Sequence, residues 1–198
     1  MTIQKPRYFI VNKPMFMLSQ FVGKDPGHML GRLKYEFPEG TNAIGRLDYE
    51  SEGLLILTNN KRITKLLFQS KEPHKRTYLV QTNGNITEEH IQNLSRGVPI
   101  LLRGNKMWTT SPCEVERIDQ PYRIENLLHP NHSYVWLKMT LTEGKYRQIR
   151  KMITAVNSKC KRLIRVSIEA LELSDLAVGE VREYTQEKFF SLLNLKID

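Results

Sequence analysis

Cysteine is scarce in this chain of 198 residues, which has two. Cys113 and Cys160 lie far apart and outside any CxxC or Cys/His spacing, so no disulfide framework or zinc-ligand pattern is indicated. Long uninterrupted apolar runs are also missing. Met1 to Gln20 carries Lys5, Arg7 and Lys13 among its apolar residues and offers neither a secretory hydrophobic segment nor a membrane span; a cytoplasmic location is expected. Low-complexity tracts and internal repeats are absent, which argues against a solenoid or a disordered chain. Acids are outnumbered, with 21 Asp+Glu against 30 Lys+Arg for a formal charge of +9. That excess favours polyanionic partners, nucleic acid ahead of an acidic membrane surface. The alternative is a merely basic, soluble surface.

What is present is a globular composition, 40% hydrophobic and 26% charged. The length suits one folded unit, 1–198, made of one large domain or two small packed subdomains. Apolar runs rich in β-branched and aromatic residues predict strands at Tyr8–Val11, Leu54–Thr58, Thr77–Gln81, Tyr134–Leu141 and Leu163–Ile168. Helical periodicity predicts helices over Asn60–Gln69, over Thr87–Arg96 with Thr87 as cap, and from about Thr185 with Phe189, Leu192 and Leu193 buried. These elements do not alternate as βαβ units, so the expected class is α+β with mixed or antiparallel sheets. Asp119–Ser133, with Pro121 and Pro130, reads as a long loop, and His129 and His132 as loop residues.

Three segments carry candidate chemistry. Ala43–Asn60 reads AIGRLDYESEGLLILTNN, a polar turn followed by an apolar strand. Leu47 and that strand would hold Asp48 against the core, where an ionised carboxylate needs a cationic partner. An Asx-type turn is the competing reading. Glu143–Ile153, EGKYRQIRKMI, reads as a short helix entered at Gly144, with Tyr146, Ile149, Arg150 and Ile153 on one stripe and Arg147 and Lys151 on the next. Arg150 on an apolar stripe would meet a carboxylate, with Asp48 the candidate, or else extend to solvent. Lys145, Arg147, Arg150, Lys151, Lys159, Lys161, Arg162 and Arg165 concentrate positive charge and predict a phosphate-binding surface. His74–Val80, HKRTYLV, puts Tyr78 in a strand with Arg76 and Val80 on the same side. Its ring either fills core or offers a wall for a flipped base.

Taken together, FIVNKPMFMLSQF (9–21), GRLDYESEGLLILTNN (45–60), RTYLVQTNG (76–84) and EGKYRQIRKM (143–152) resemble, in order, four motifs of the RsuA-like pseudouridine synthases. The likeness continues through Leu163–Tyr184. It implies the α+β pseudouridine synthase fold, with mixed, mostly antiparallel sheets, flanking helices and a central catalytic cleft. By the same resemblance Asp48 is the catalytic nucleophile, Arg150 its salt-bridge partner and Tyr78 the ring that stacks on uracil. Arg46 is the side chain that enters the space left by the extruded uridine. Arg76, Lys145, Arg147 and Lys151 are expected to bind substrate.

The family uses no metal and no organic cofactor. Many members begin with a small RNA-binding domain, for which this chain has no room before Tyr8. Likeness to members without it makes ribosomal RNA the implied partner and 23S-type rRNA the implied substrate; a monomer is expected, with no membrane partner. Two departures stand out. Arg76 replaces the usual lysine two residues before the tyrosine, and Met15-Phe16-Met17 stands where a glycine is common. Two rival functions remain: an idle rRNA-binding or assembly protein of this fold, and an RNA hydrolase in which Glu50 or Glu52 assists Asp48.

Overall fold

The computed structural model describes residues 5–68, 72–84, 86–121 and 133–196. In chain order the elements are β1 (Tyr8–Lys13), β2 (Asn42–Ile44), β3 (Glu52–Thr58), α1 (Arg62–Phe68), β4 (Arg76–Asn83), α2 (Glu88–Arg96), β5 (Pro99–Leu101), β6 (Met107–Thr109), β7 (Glu114–Ile118), β8 (Tyr134–Leu141), α3 (Gln148–Ala155), β9 (Cys160–Ile168), β10 (Leu171–Glu172), β11 (Val181–Tyr184) and α4 (Gln186–Leu192). The chain divides into two compact units. One comprises Met1–His74 and Ile164–Asp198, the other Lys75–Leu163, so β9 begins in the second and ends in the first.

In the first unit, β1 lies antiparallel between β11 and β3, with Tyr8 opposite Thr58 and Lys13 opposite Gly53. On its other edge β3 pairs antiparallel with β2 and, at Glu52 and Gly53, parallel with Ile164 and Arg165 of β9. Every residue of β1 and β3 is buried, which explains the apolar runs Tyr8–Val11 and Leu54–Leu57 within them: both faces are covered. One face carries Tyr8, Ile10, Leu54 and Ile56 against Ile63 and Leu67 of α1 and Phe189 and Phe190 of α4. Tyr8 stacks on Phe189 at 4.8 Å between ring centres. On the opposite face Phe9 meets Tyr35 and Phe37 edge-on.

The second unit places β8 between β4 and β7, antiparallel to both. β5 and β6 form a separate antiparallel pair. Val80, Leu137 and Met139 from the sheet pack with Ile91 and Leu94 of α2 and Ile149, Met152 and Ile153 of α3. Thr87 caps α2 as expected: its hydroxyl accepts from His90 N at 3.2 Å, and the His90 ring accepts from Thr87 N at 3.3 Å. Such a cap is worth about 1 kcal/mol.

The α+β class is confirmed. Strand pairing is antiparallel in every ladder above except the short parallel β3–β9 contact. Three details differ from expectation. The helix of the EGKYRQIRKM segment starts at Gln148, not Gly144, because Arg147 adopts a left-handed conformation (φ 53°) that a helix cannot contain; Tyr146 lies outside it and is exposed. In α4, Phe190 is buried beside Phe189, while Leu192 is only partly buried. The loop expected over Asp119–Ser133, with His129 and His132, falls mainly on residues 122–132, outside the described residues.

Candidate active site

Asp48 sits half-buried on the Gly45–Ser51 connection between β2 and β3, after exposed Arg46 and buried Leu47. Its carbonyl accepts from Ser51 N at 2.9 Å, closing a turn that feeds directly into β3. The preceding loop holds this turn on both sides of Asp48. Ser19 Oγ donates to Leu47 O at 2.9 Å and accepts from Leu47 N at 3.0 Å. Phe16 N donates to Tyr49 O at 2.7 Å. The catalytic-motif backbone is thus fixed by a segment about thirty residues away in sequence.

Two buried cations border the strand that follows. In β-ladder register, Gly53 lies opposite Lys13 of β1 and opposite Arg165 of β9. Lys13 is fully buried at the end of an apolar strand. Its ammonium donates to Pro14 O at 2.8 Å and Met17 O at 2.7 Å, fastening the same loop. Arg165 is also buried; its Nε donates to Leu54 O at 2.8 Å, and its Nη2 is buried with no hydrogen-bond partner among the described residues. Lys13 belongs to the first of the four motifs, yet its sequence context alone assigns it no role. The available signal is a lysine closing the apolar run YFIVN, a position that a merely solvated lysine would not occupy.

Burial lowers the Lys13 ammonium from the usual 10.5 to about 8, opposed by the negative charges of Glu52 and Asp48. The folded protein therefore binds fewer protons than the unfolded chain between these values. Stability rises with pH across that window and loses this contribution below about 8. Relative to Lys13→Met, the wild type should gain up to about 3 kcal/mol between the two limits. Urea unfolding of both proteins at pH 7 to 10.5 checks this; parallel pH profiles would contradict it.

Of the two glutamates of the hydrolase reading, Glu52 is buried and Glu50 is exposed. Arg162 and Arg165 were counted with the phosphate-binding cations; both are buried, so neither lies on an RNA-facing surface. The exposed lysines Lys159 and Lys161 keep that possibility.

In the second unit, Tyr78 lies on β4 opposite Met139, partly buried against the core with Val80. Arg76 reaches the turn before α3: its Nη2 donates to Thr142 O at 3.3 Å, and Nη1 covers Gly144, where a Cβ would stand 2.8 Å from it. Arg76 therefore braces the arginine-motif turn, a planar, two-headed task suited to guanidinium. Gln148 ties the same turn together, accepting from Lys145 N at 2.8 Å and donating to Glu143 Oε1 at 2.7 Å. Arg150 on α3 is half-buried, its Nη1 3.8 Å from Cys160 Sγ. Lys145 lies over the Trp108 ring at 4.2 Å, and Arg103 over Tyr146 at 4.3 Å. Lys151 donates to Leu101 O at 2.6 Å. These cations stay near the surface on aromatic supports.

Of the expected site residues, Asp48 and Arg46 belong to the first unit; Tyr78, Arg76, Lys145, Arg147, Arg150 and Lys151 belong to the second. No group of three or more His, Cys, Asp or Glu side chains suited to a metal ion occurs among the described residues. No helix among them is long and apolar enough to cross a membrane.

The chain is 35% identical over 185 residues to the ribosomal large subunit pseudouridine synthase E of Vibrio parahaemolyticus, covering 91% of this chain and 75% of that protein. It is 33% identical over 182 residues to the enzyme of the same name from Xanthomonas campestris, covering 87% and 92%. A pseudouridylate synthase crystal structure matches with a TM-score of 0.77 and 27% identity, over 96% of this chain and 75% of that one. The model of the RNA pseudouridylate synthase family matches residues 7–155, a span that contains the Asp48 turn, the Tyr78 strand and the Arg150 helix. With all three segments inside one match and the fold shared, the chain belongs to the RNA pseudouridylate synthase family.

Proposed function

We propose that this chain isomerises uridine to pseudouridine in large-subunit ribosomal RNA, with Asp48 as nucleophile. The observation that carries the assignment of Asp48 is its position: a half-buried carboxylate on a turn clamped by Phe16 and Ser19, ahead of a strand bordered by Lys13 and Arg165. The reaction breaks the N1–C1′ bond of uridine, turns the base and joins C5 to C1′. The hydrogen on C5 leaves as a proton and N1 takes one up, so product and substrate have the same mass. The target must leave the base stack before any of this occurs. Asp48 supplies the anionic oxygen that attacks, Arg150 the compensating positive charge and Tyr78 the ring on which uracil rests. Arg46, exposed beside Asp48, fills the space that the uridine vacates. The relatives named for the large ribosomal subunit support 23S-type rRNA as the substrate. The working form is a monomer in the cytoplasm, one catalytic domain over 1–198.

The test is to map pseudouridines in rRNA from cells with and without the gene. One site lost in the deletion and restored by the wild-type chain is expected. An unchanged map would favour an idle binding protein, and a strand break or a change of mass would indicate hydrolysis.

Lys145, Arg147 and Lys151 would contact backbone phosphates, so binding should weaken steeply with salt. Replacing all three by glutamine should lower affinity for an rRNA fragment and flatten the slope of log affinity against log salt by about 2, at roughly 0.7 for each phosphate no longer neutralised. Filter binding across a salt series measures this. An unchanged slope would put the RNA path elsewhere.

A further inference from the structure

We propose that Phe16 and Tyr49 form a stacking platform beside Asp48 that holds an unpaired base of the RNA next to the target uridine. The proposal rests on Asp48 being the reacting carboxylate. Tyr49 follows it directly in sequence. Both aromatic residues are exposed, Phe16 at 55% and Tyr49 at 38%. Their rings lie 5.5 Å apart and tilted by 49°, and the His28 ring meets Tyr49 edge-on at 5.7 Å. Exposed aromatic surface of this kind gives little to folding and much to a planar ligand.

The backbone beneath Phe16 strengthens the argument. Phe16 has a φ of 61°, in the left-handed region where glycine is at ease and a bulky side chain is strained. Here a large ring occupies a strained position and points much of its surface at water, so its contribution lies outside the fold.

The loop is also stiffly referenced to Asp48. Lys13 holds Pro14 O and Met17 O, Phe16 N holds Tyr49 O, and Ser19 holds Leu47. A base stacked here would be positioned relative to the carboxylate without further ordering of the loop. The chemistry supplies the occupant. Flipping a uridine out of its stack strips its neighbours of one stacking partner, and single-stranded RNA is held by restacking such bases on aromatic rings.

The experiment measures KM and kcat of the full chain by tritium release from protein-free 23S rRNA transcribed with uridine labelled at C5. Phe16→Gly, Tyr49→Ala and Tyr49→Leu should each raise KM by about 5- to 100-fold with little change in kcat. Tyr49→Phe should keep the wild-type KM. Phe16→Gly should not lower the thermal midpoint, since it relieves strain, so loss of folding would not account for its effect. Wild-type KM in Phe16→Gly and Tyr49→Ala would overturn the proposal. So would a fall in kcat at constant KM, which would make these rings supports for the Asp48 turn, and so would a KM effect seen only on ribosomal particles, which would make the occupant a protein. Asp48→Asn is the parallel control: full turnover there would remove the catalytic assignment, while the KM of the aromatic variants still reports on the platform.

Discussion

Asp48→Asn should reduce pseudouridine formation by at least about four orders of magnitude while leaving RNA affinity and folding close to wild type. The substitution keeps the shape of the side chain and removes the anionic oxygen, and loss of a nucleophile leaves only the rate supplied by binding and orientation. The turn should survive. Its closing hydrogen bond, Ser51 N to Asp48 O, and its clamps at Leu47 and Tyr49 all use backbone atoms of residues 47 to 49. Single-turnover tritium release on an rRNA transcript, with circular dichroism and filter binding alongside, measures the three properties separately. Turnover within about tenfold of wild type would show that Asp48 is not the nucleophile, because a tenfold loss is only about 1.4 kcal/mol of barrier.

Gly53→Ala should be the most destabilising small substitution in the same segment, at a cost of at least about 3 kcal/mol. Two independent penalties add. The φ of Gly53 is 97°, outside the conformations open to alanine without strain. A Cβ there would stand 2.3 Å from the carbonyl oxygen of Arg165 and 2.9 Å from its nitrogen. Both are backbone atoms of a neighbouring strand and cannot move without parting β3 from β9. Because Gly53 lies between Lys13 and Arg165 in register, the rearrangement would also reach both buried cations. Urea denaturation gives the stability directly. A midpoint unchanged from wild type would mean that the β3–β9 approach is looser than the structure has it.

The legibility of the fold followed the burial of its strands. β1, β3 and β8 are apolar runs with one or both faces covered, and their extents in the structure match or slightly exceed the expected ones. The cap of α2 and the start of α4 were readable because Thr87 and Thr185 are short hydroxyl side chains ahead of acidic first turns. β2, β5, β6, β7, β10 and β11 carry no comparable signal. They are short, and several alternate between exposed and half-buried positions; β7 reads EVERI. Such segments become strands because a longer neighbour offers its hydrogen-bonding edge, as β8 does for β7 and β1 for β11. The start of α3 departs from expectation for a related reason. Gly144 invites a chain reversal, but Gln148 and Glu143 close the turn and Arg147 takes the left-handed conformation.

The sequence by itself determined the residue types of the chemistry: an aspartate on a polar turn before an apolar strand, a tyrosine in a strand, an arginine in a short amphipathic helix, and an excess of positive charge. These survive as local facts because turn, strand and helix signals are carried by neighbouring side chains. Tertiary structure alone decided which cations are surface and which are core. Arg162 and Arg165 look like their neighbours Lys159 and Lys161 along the chain, yet β9 runs Arg165 beside Gly53 and buries it, and leaves the lysines exposed. Lys13, Ser19 and Phe16 acquired their relation to the Asp48 segment in the same way, through contacts with Gly53, Leu47 and Tyr49, about thirty to forty residues away in sequence. A charge pattern read along a chain contains no information on burial. Burial follows from which strands meet, and that depends on packing summed over the whole unit.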